Sequence, residues 1–234
     1  MTDDPSFIHL QGVAKSYGRG GERLPIFDGL SLDIPRGDFV AVMGPSGSGK
    51  STLLNLLAGL DTAEAGQVSI GGFDLSAMGE GARGRWRTEM LGIVFQFYNL
   101  LPMLTAAENV ELPLLLRPLS KRERRERVAT VLRLLGLEAR ARHYPRQMSG
   151  GQQQRVGIAR AIVTDPALLL CDEPTGDLDR ASADEALAML DLLNRELGKT
   201  IVMVTHDPAA AGVARRVLHL DKGTFRPEGT EAAR

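Results

Sequence analysis

Over roughly its first hundred residues the chain alternates apolar runs with turns marked by glycine and proline. From residue 7 to about 95 the segments FIHLQGV, SLDIPRGDFVAVM and QVSIGGFDL read as short strands, punctuated by PRGD and GG. Between about 100 and 164 the period turns helical. After the charged run SKRERRER, the residues Val128, Val131, Leu132 and Leu135 recur at spacings of three and four. A second helix over 151–164 is expected to stop at Asp165 and Pro166, because proline disfavours helix in the residue before it. Strand-like runs then return in ALLLCDEP and TIVMVTHDP. Between them lies SADEALAMLDLLNRELG, where Ser182 and Glu185 suggest a capping box and Gly198 suits a helix end. Alternation of strand and helix predicts an α/β fold around a mostly parallel sheet, with ligands at the carboxyl ends of its strands.

Composition narrows this picture. At 234 residues and 43% hydrophobic, the chain can bury a core of one domain, or of one domain with a subdomain. A formal net charge of -1 carries no overall basic signature, so no nucleic-acid partner is expected. The one cysteine, Cys171, excludes an internal disulfide and fits a reducing compartment; in its apolar run it is expected to pack in the sheet. The opening MTDDPSFIHL lacks the basic and apolar regions of an export signal. Apolar runs such as LPLLL at 112–116 are too short to cross a bilayer, so membrane work is expected to be borrowed from a partner. Between Arg117 and Arg146 stand ten Lys or Arg against three Glu, read first as a solvated helix face and second as a contact for anionic lipid.

The chemistry concentrates in a few stretches. In GPSGSGKS, flanked by a strand and a helix, Gly44, Gly47 and Gly49 let backbone N–H groups close on phosphate oxygens, Lys50 reaches the terminal phosphates, and Ser51 can ligate Mg²⁺. Asp172 and Glu173 leave an apolar strand, where Asp172 can hold Mg²⁺ through water and Glu173 can deprotonate an attacking water. His206 ends another strand and could meet a γ-phosphate or that water; a lone strand-end histidine is more often structural. Gln96 follows a third strand, within reach of metal or water. Tyr17 offers either an adenine-facing ring or a packed turn. In QMSGGQQQR, Ser149, Gly150 and Gly151 open a helix as a second anion site with no lysine and no strand leading into it. Placed away from its own phosphate loop, it could close on a γ-phosphate held by a second copy.

Tyr17, GPSGSGKST, Gln96, MSGGQQQR, LLLCDEPTGDLD and His206 together, in this order and spacing, resemble the ATPase domains of ABC transporters over nearly the whole chain. The resemblance implies a RecA-like P-loop ATPase core with an antiparallel β subdomain (1–95 and 165–234) and a helical subdomain (97–164). It makes Gly44, Pro45, Ser46, Gly47, Ser48, Gly49, Lys50, Ser51 and Thr52 the nucleotide-binding loop. Ser149, Gly150, Gly151 and Gln152 become the signature that completes a partner's site in an ATP-sandwich homodimer. Met148 stands where the usual signature has leucine, a change expected to cost under about 1.5 kcal/mol because that side chain packs.

MGPSGSGKSTLLNLLAGLD, VFQFYNLLPMLTAAENVELPL and DEPTGDLD are similar to the MacB and LolD group. That likeness implies ATP and Mg²⁺ as cofactors and a separate transmembrane permease, with a membrane-fusion protein reached through it. It also implies a peripheral position on the cytoplasmic side of a bacterial inner membrane, and export or extracytoplasmic movement of substrate. Because the chain ends soon after RRVLHLDKG, no C-terminal regulatory domain is expected. The alternative is an FtsE-like ATPase that gates a cell-envelope process without transport.

Overall fold

The computed structural model of the protein describes residues 6–19 and 22–226; the acidic start of the N-terminal stretch, 1–5, and the C-terminal 227–234 lie outside it. Among the described residues the strands form two sheets. One is antiparallel, in the order β2-β1-β4-β5, from β1 (Ser6–Arg19), β2 (Glu22–Pro35), β4 (Ala65–Ile70) and β5 (Phe73–Asp74). The other runs β10-β9-β3-β8-β7-β6, from β3 (Phe39–Met43), β6 (Leu91–Phe95), β7 (Leu168–Asp172), β8 (Thr200–Val204), β9 (Arg216–Asp221) and β10 (Thr224–Phe225). All its pairings are parallel except that of the edge strand β10.

Strands β3, β7 and β8 are buried almost throughout, which explains their unbroken apolar sequences. Their alternate side chains feed two cores. Phe39, Ala41, Leu169, Cys171, Ile201 and Met203 face one, and Val40, Val42, Leu168, Leu170, Val202 and Val204 face the other. The second core is closed by α1 (Lys50–Leu57), by the antiparallel sheet and by Trp86 of α2 (Glu80–Met90). The first is closed by α3 (Ala106–Glu111), α4 (Lys121–Leu134), α5 (Gly150–Ile162), α6 (Arg180–Arg195) and the short α7 (Pro208–Ala211).

Several expectations are corrected. The first hairpin has 14-residue strands rather than short ones, because register shifts at Leu10/Val13, Val13/Lys15 and Lys15/Ser16 break the alternation that sequence reading relies on. Helix α2 was not foreseen: Gly81 and Gly84 dilute its pattern, and Trp86 is its one buried side chain. Ser182 is not a helix cap. Helix α6 starts earlier, with Asp179 as N-cap accepting from the Ser182 N–H at 3.0 Å, and Glu185 pairs with Arg155 instead. Helix α5 stops at Ile162, ahead of Pro166, as the proline demanded. In α4, Val128 and Leu132 are buried, Arg122 and Arg133 form exposed pairs with Glu126 and Glu138, and Arg124 reaches the half-buried Glu111.

Candidate active site

Parallel register places the site. Val42, Val204, Asp172 and Phe95 stand in one row across β3, β8, β7 and β6. The residues that follow them, Gly44, His206, Glu173 and Gln96, therefore leave the same sheet edge, at the carboxyl ends of the strands. A cavity of about 720 Å³ opens there.

Its floor is the loop from β3 to α1. Gly49 caps α1 at φ 106 with no side chain on the first-turn N–H groups, which leaves those donors for an anion. A Cβ at Gly49 would meet the Phe27 ring at 2.8 Å, so both the positive φ and the packing require glycine. Gly44 has its own reason, since a Cβ there would run into the Leu220 carbonyl. Lys50 Nζ donates to the carbonyls of Gly44 and Pro45 at 2.8 and 2.9 Å, so its ammonium crosses the loop it belongs to. Ser46, Gly47, Ser51 and Thr52 also line the cavity, whereas Ser48 is buried beneath the loop with its Oγ unpartnered.

Two acids face the loop. Burial and the Glu173 charge raise the Asp172 carboxyl above the usual range, against the pull of Lys50. Glu173 sits at φ 47, a left-handed conformation that costs a non-glycine residue about 1–3 kcal/mol. It is fixed there by its N–H donating to Val204 O at 2.9 Å and by Pro174 after it. Its carboxylate meets His206 Nδ1 at 2.9 Å and the His206 N–H at 3.3 Å. The strand-end histidine is thus tied to the acid through Nδ1, and Nε2 is the ring nitrogen left for a phosphate or water. Gln96 lines the same cavity and lies against Gly176, where a Cβ would come within 2.9 Å of its Nε2. Tyr17 enters from β1, 38% exposed. Cys171 is fully buried, and burial with the neighbouring Asp172 pushes its thiol up, which suits packing alone.

The signature residues do not join this cavity. Ser149 caps α5: its Oγ accepts from the Gln152 N–H at 3.3 Å, and the Gln152 side chain accepts from the Ser149 N–H at 3.2 Å. The cap uses only the acceptor side of the Ser149 hydroxyl, and its O–H remains a donor. The adjacent glycines have a packing reason besides. A Cβ on Gly150 would meet the Tyr98 hydroxyl at 2.9 Å, and one on Gly151 would meet Ser182 Oγ at 2.5 Å. Sequence reasoning missed Tyr98, whose hydroxyl donates to the Asp177 carbonyl at 3.2 Å, and Arg160, which holds the Tyr98 and Asn99 carbonyls at 2.7 and 2.5 Å. No sequence signal pairs Tyr98 with a glycine-led helix so distant along the chain, and only folding brings the two together. Met148 packs in the core as expected.

A family profile described as ABC transporter matches residues 27–176. The chain belongs to the ABC transporter family. Relatives of this ABC protein include the lipoprotein-releasing system ATP-binding protein LolD of Chromohalobacter salexigens, 45% identical over 227 residues, covering 94% of this chain and 96% of that protein. The macrolide export ATP-binding/permease protein MacB of Marinobacter nauticus is 48% identical over 216 residues, 92% of this chain but 33% of that protein, so the chain spans about a third of its length. Among solved structures, the ATP-binding cassette MJ0796, described as a dimeric post-hydrolysis state bound to ADP and Pi, superposes with a TM-score of 0.86 at 42% identity, covering 94% of this chain and 97% of that one. The α/β ABC ATPase fold expected from sequence is the fold found, and the chain is an ATP-binding ABC ATPase subunit of the LolD and MacB type.

Proposed function

We propose that this subunit hydrolyses ATP to drive a separate MacB/LolD-type membrane permease for export or extracytoplasmic movement of substrate. The observation that carries the reading is the convergence of Lys50, Asp172, Glu173, Gln96 and His206 on one cavity above a glycine-rich helix start. In this reading the loop N–H groups and Lys50 grip the phosphates and Tyr17 faces the adenine. Glu173, aimed by its strained backbone and by His206, takes a proton from the attacking water, a contribution of about 10²–10⁴ in rate.

Among the described residues no group of three or more His, Cys, Asp or Glu converges on a metal position. Ser51, Gln96 and Asp172 line the same cavity, an oxygen donor set that fits Mg²⁺, which binds through one or two protein groups with phosphates and water. Ser51 and Gln96 would hold it directly and Asp172 through water. When bound, Mg²⁺ supplies neutralisation of charge on the β- and γ-phosphate oxygens.

Ser149, Gly150, Gly151 and Gln152 lie outside their own chain's cavity, which supports their serving a second copy in an ATP-sandwich homodimer. In that assembly, residues 97–164 form a helical subdomain that passes closure to the permease and, through it, to a membrane-fusion protein. Among the described residues no helix is long and apolar enough to cross a membrane; a peripheral place on the cytoplasmic side of the inner membrane would come from the permease. Glu173→Gln is expected to bind ATP, to lose hydrolysis by about 10²–10⁴-fold and to accumulate as a dimer on size-exclusion chromatography with Mg-ATP. A fully active variant that stays monomeric overturns the proposal.

A further inference from the structure

The Tyr17 ring does not hang free at the cavity mouth. Its hydroxyl donates to Asp61 Oδ2 at 2.7 Å. The other oxygen, Oδ1, accepts from Lys15 Nζ at 2.5 Å and from the Thr62 N–H at 2.7 Å. Lys15 also donates to the Thr62 carbonyl at 3.0 Å and stands over the Tyr17 ring, 5.0 Å from its centroid. With Lys15 only 8% exposed, its ammonium is largely out of water, and these partners compensate the charge. Burial opposes ionisation of Asp61, yet the hydrogen bonds from Lys15 and Tyr17 hold its carboxyl below the usual range.

Asp61 belongs to the other side of the site. It lies in the turn that ends α1, where the N–H groups of Leu60 and Asp61 both donate to the Asn55 carbonyl, at 2.9 and 3.2 Å. The same helix begins at Lys50, in the phosphate loop. One carboxylate therefore joins the strand that carries the ring to the helix that carries the phosphate grip, across 44 residues of sequence.

We propose that Asp61 and Lys15 are positioning residues that lock the Tyr17 ring as the platform for the nucleotide base and set its distance from the phosphate loop. This rests on the reading of Tyr17 as the adenine-facing residue. A tyrosine without the tether rotates about two side-chain bonds and must be ordered when the base arrives. With the tether that cost is met during folding, and the cation over one face leaves the opposite face for the base.

The test compares ATP with inorganic tripolyphosphate, which has phosphates and no base, each titrated calorimetrically with Mg²⁺ into the whole chain. Tyr17→Phe keeps the ring and removes the tether; Asp61→Asn removes the charge that holds both partners. Each is expected to weaken ATP about three- to tenfold, the range of ordering one side chain on binding, with tripolyphosphate unchanged. Equal weakening of both ligands means a general disturbance of the hairpin and overturns the proposal. If Asp61→Asn does not fold because Lys15 is left unpaired, Tyr17→Phe still decides, since it leaves that ion pair intact. Tyr17→Ala separates the two levels: if it weakens ATP while Tyr17→Phe and Asp61→Asn do not, the platform stands and the tether fails. If Tyr17→Ala leaves ATP affinity unchanged, the adenine reading itself fails and takes the tether with it.

Discussion

Glu173 combines a strained backbone with a charge partner. Its carboxylate hydrogen bond and its charge raise His206 above the usual histidine range. Folding then favours the protonated ring, so the pair's contribution is complete below the ordinary histidine pKa and is lost as pH rises through the raised one. Because the His206 side chain is 72% exposed, solvent screens the pair and little stability is at stake; the titration itself is the measurable sign. Followed by NMR, His206 is expected to titrate above about 6.5 in the native chain and to fall back toward that value in Glu173→Gln. An unchanged midpoint in the variant means the acid does not hold the ring. The sequence placed both residues at strand ends. It could not bring them together, because residues 33 positions apart meet only through the β7/β8 register.

Helix α5 shows how an element can be legible in outline and hidden in its attachments. Its glycine-led start could be read from Ser149, Gly150 and Gly151 and its end from Pro166, all local signals, while the cap between Ser149 and Gln152 was not read. Its seat on β6 could not be read. Gly92 lets the helix backbone come so close that a Cβ there would collide with the Ala161 carbonyl and lie 2.7 Å from Leu169 Cδ2. Gly92→Ala is expected to destabilise the fold by about 1–3 kcal/mol, the usual cost of overpacking, read from urea unfolding. Stability equal to the native chain means the helix shifts freely on the sheet. The helix also holds neighbouring loops: Gln154 donates to the Pro174 carbonyl at 2.5 Å and Arg160 grips the carbonyls of Tyr98 and Asn99. The hairpin of β1 and β2 failed to be read at full length for the opposite reason. Its bulges are local, but they scramble the two-residue period. Helix α2 escaped because its apolar residues, Ala82, Trp86 and Met90, are few among charged residues and two glycines, and only Trp86 is buried.

At the scale of the whole molecule, the cavity at the sheet edge and the glycine-led start of α5 occupy separate places on one chain. If a second copy completes the site, the two functions separate by mutation. In a Glu173→Gln background, adding Ser149→Arg is expected to abolish the ATP-induced dimer in analytical ultracentrifugation while the monomer still binds nucleotide. A dimer that persists at the same ATP concentration sets aside the shared site. The sequence by itself picked out the glycine-rich loop, the acid pair, the glycine-led start of α5 and the alternation that makes a parallel sheet, because each is a short-range pattern that depends on neighbours along the chain. Only the tertiary structure decided which of these groups meet: His206 with Glu173, Tyr17 with Asp61 and Lys15, and Tyr98 with the glycines of α5. Those meetings depend on strand register and on how closely helices lie to the sheet, and a pattern of apolar and polar residues fixes the face a side chain takes without fixing its partner.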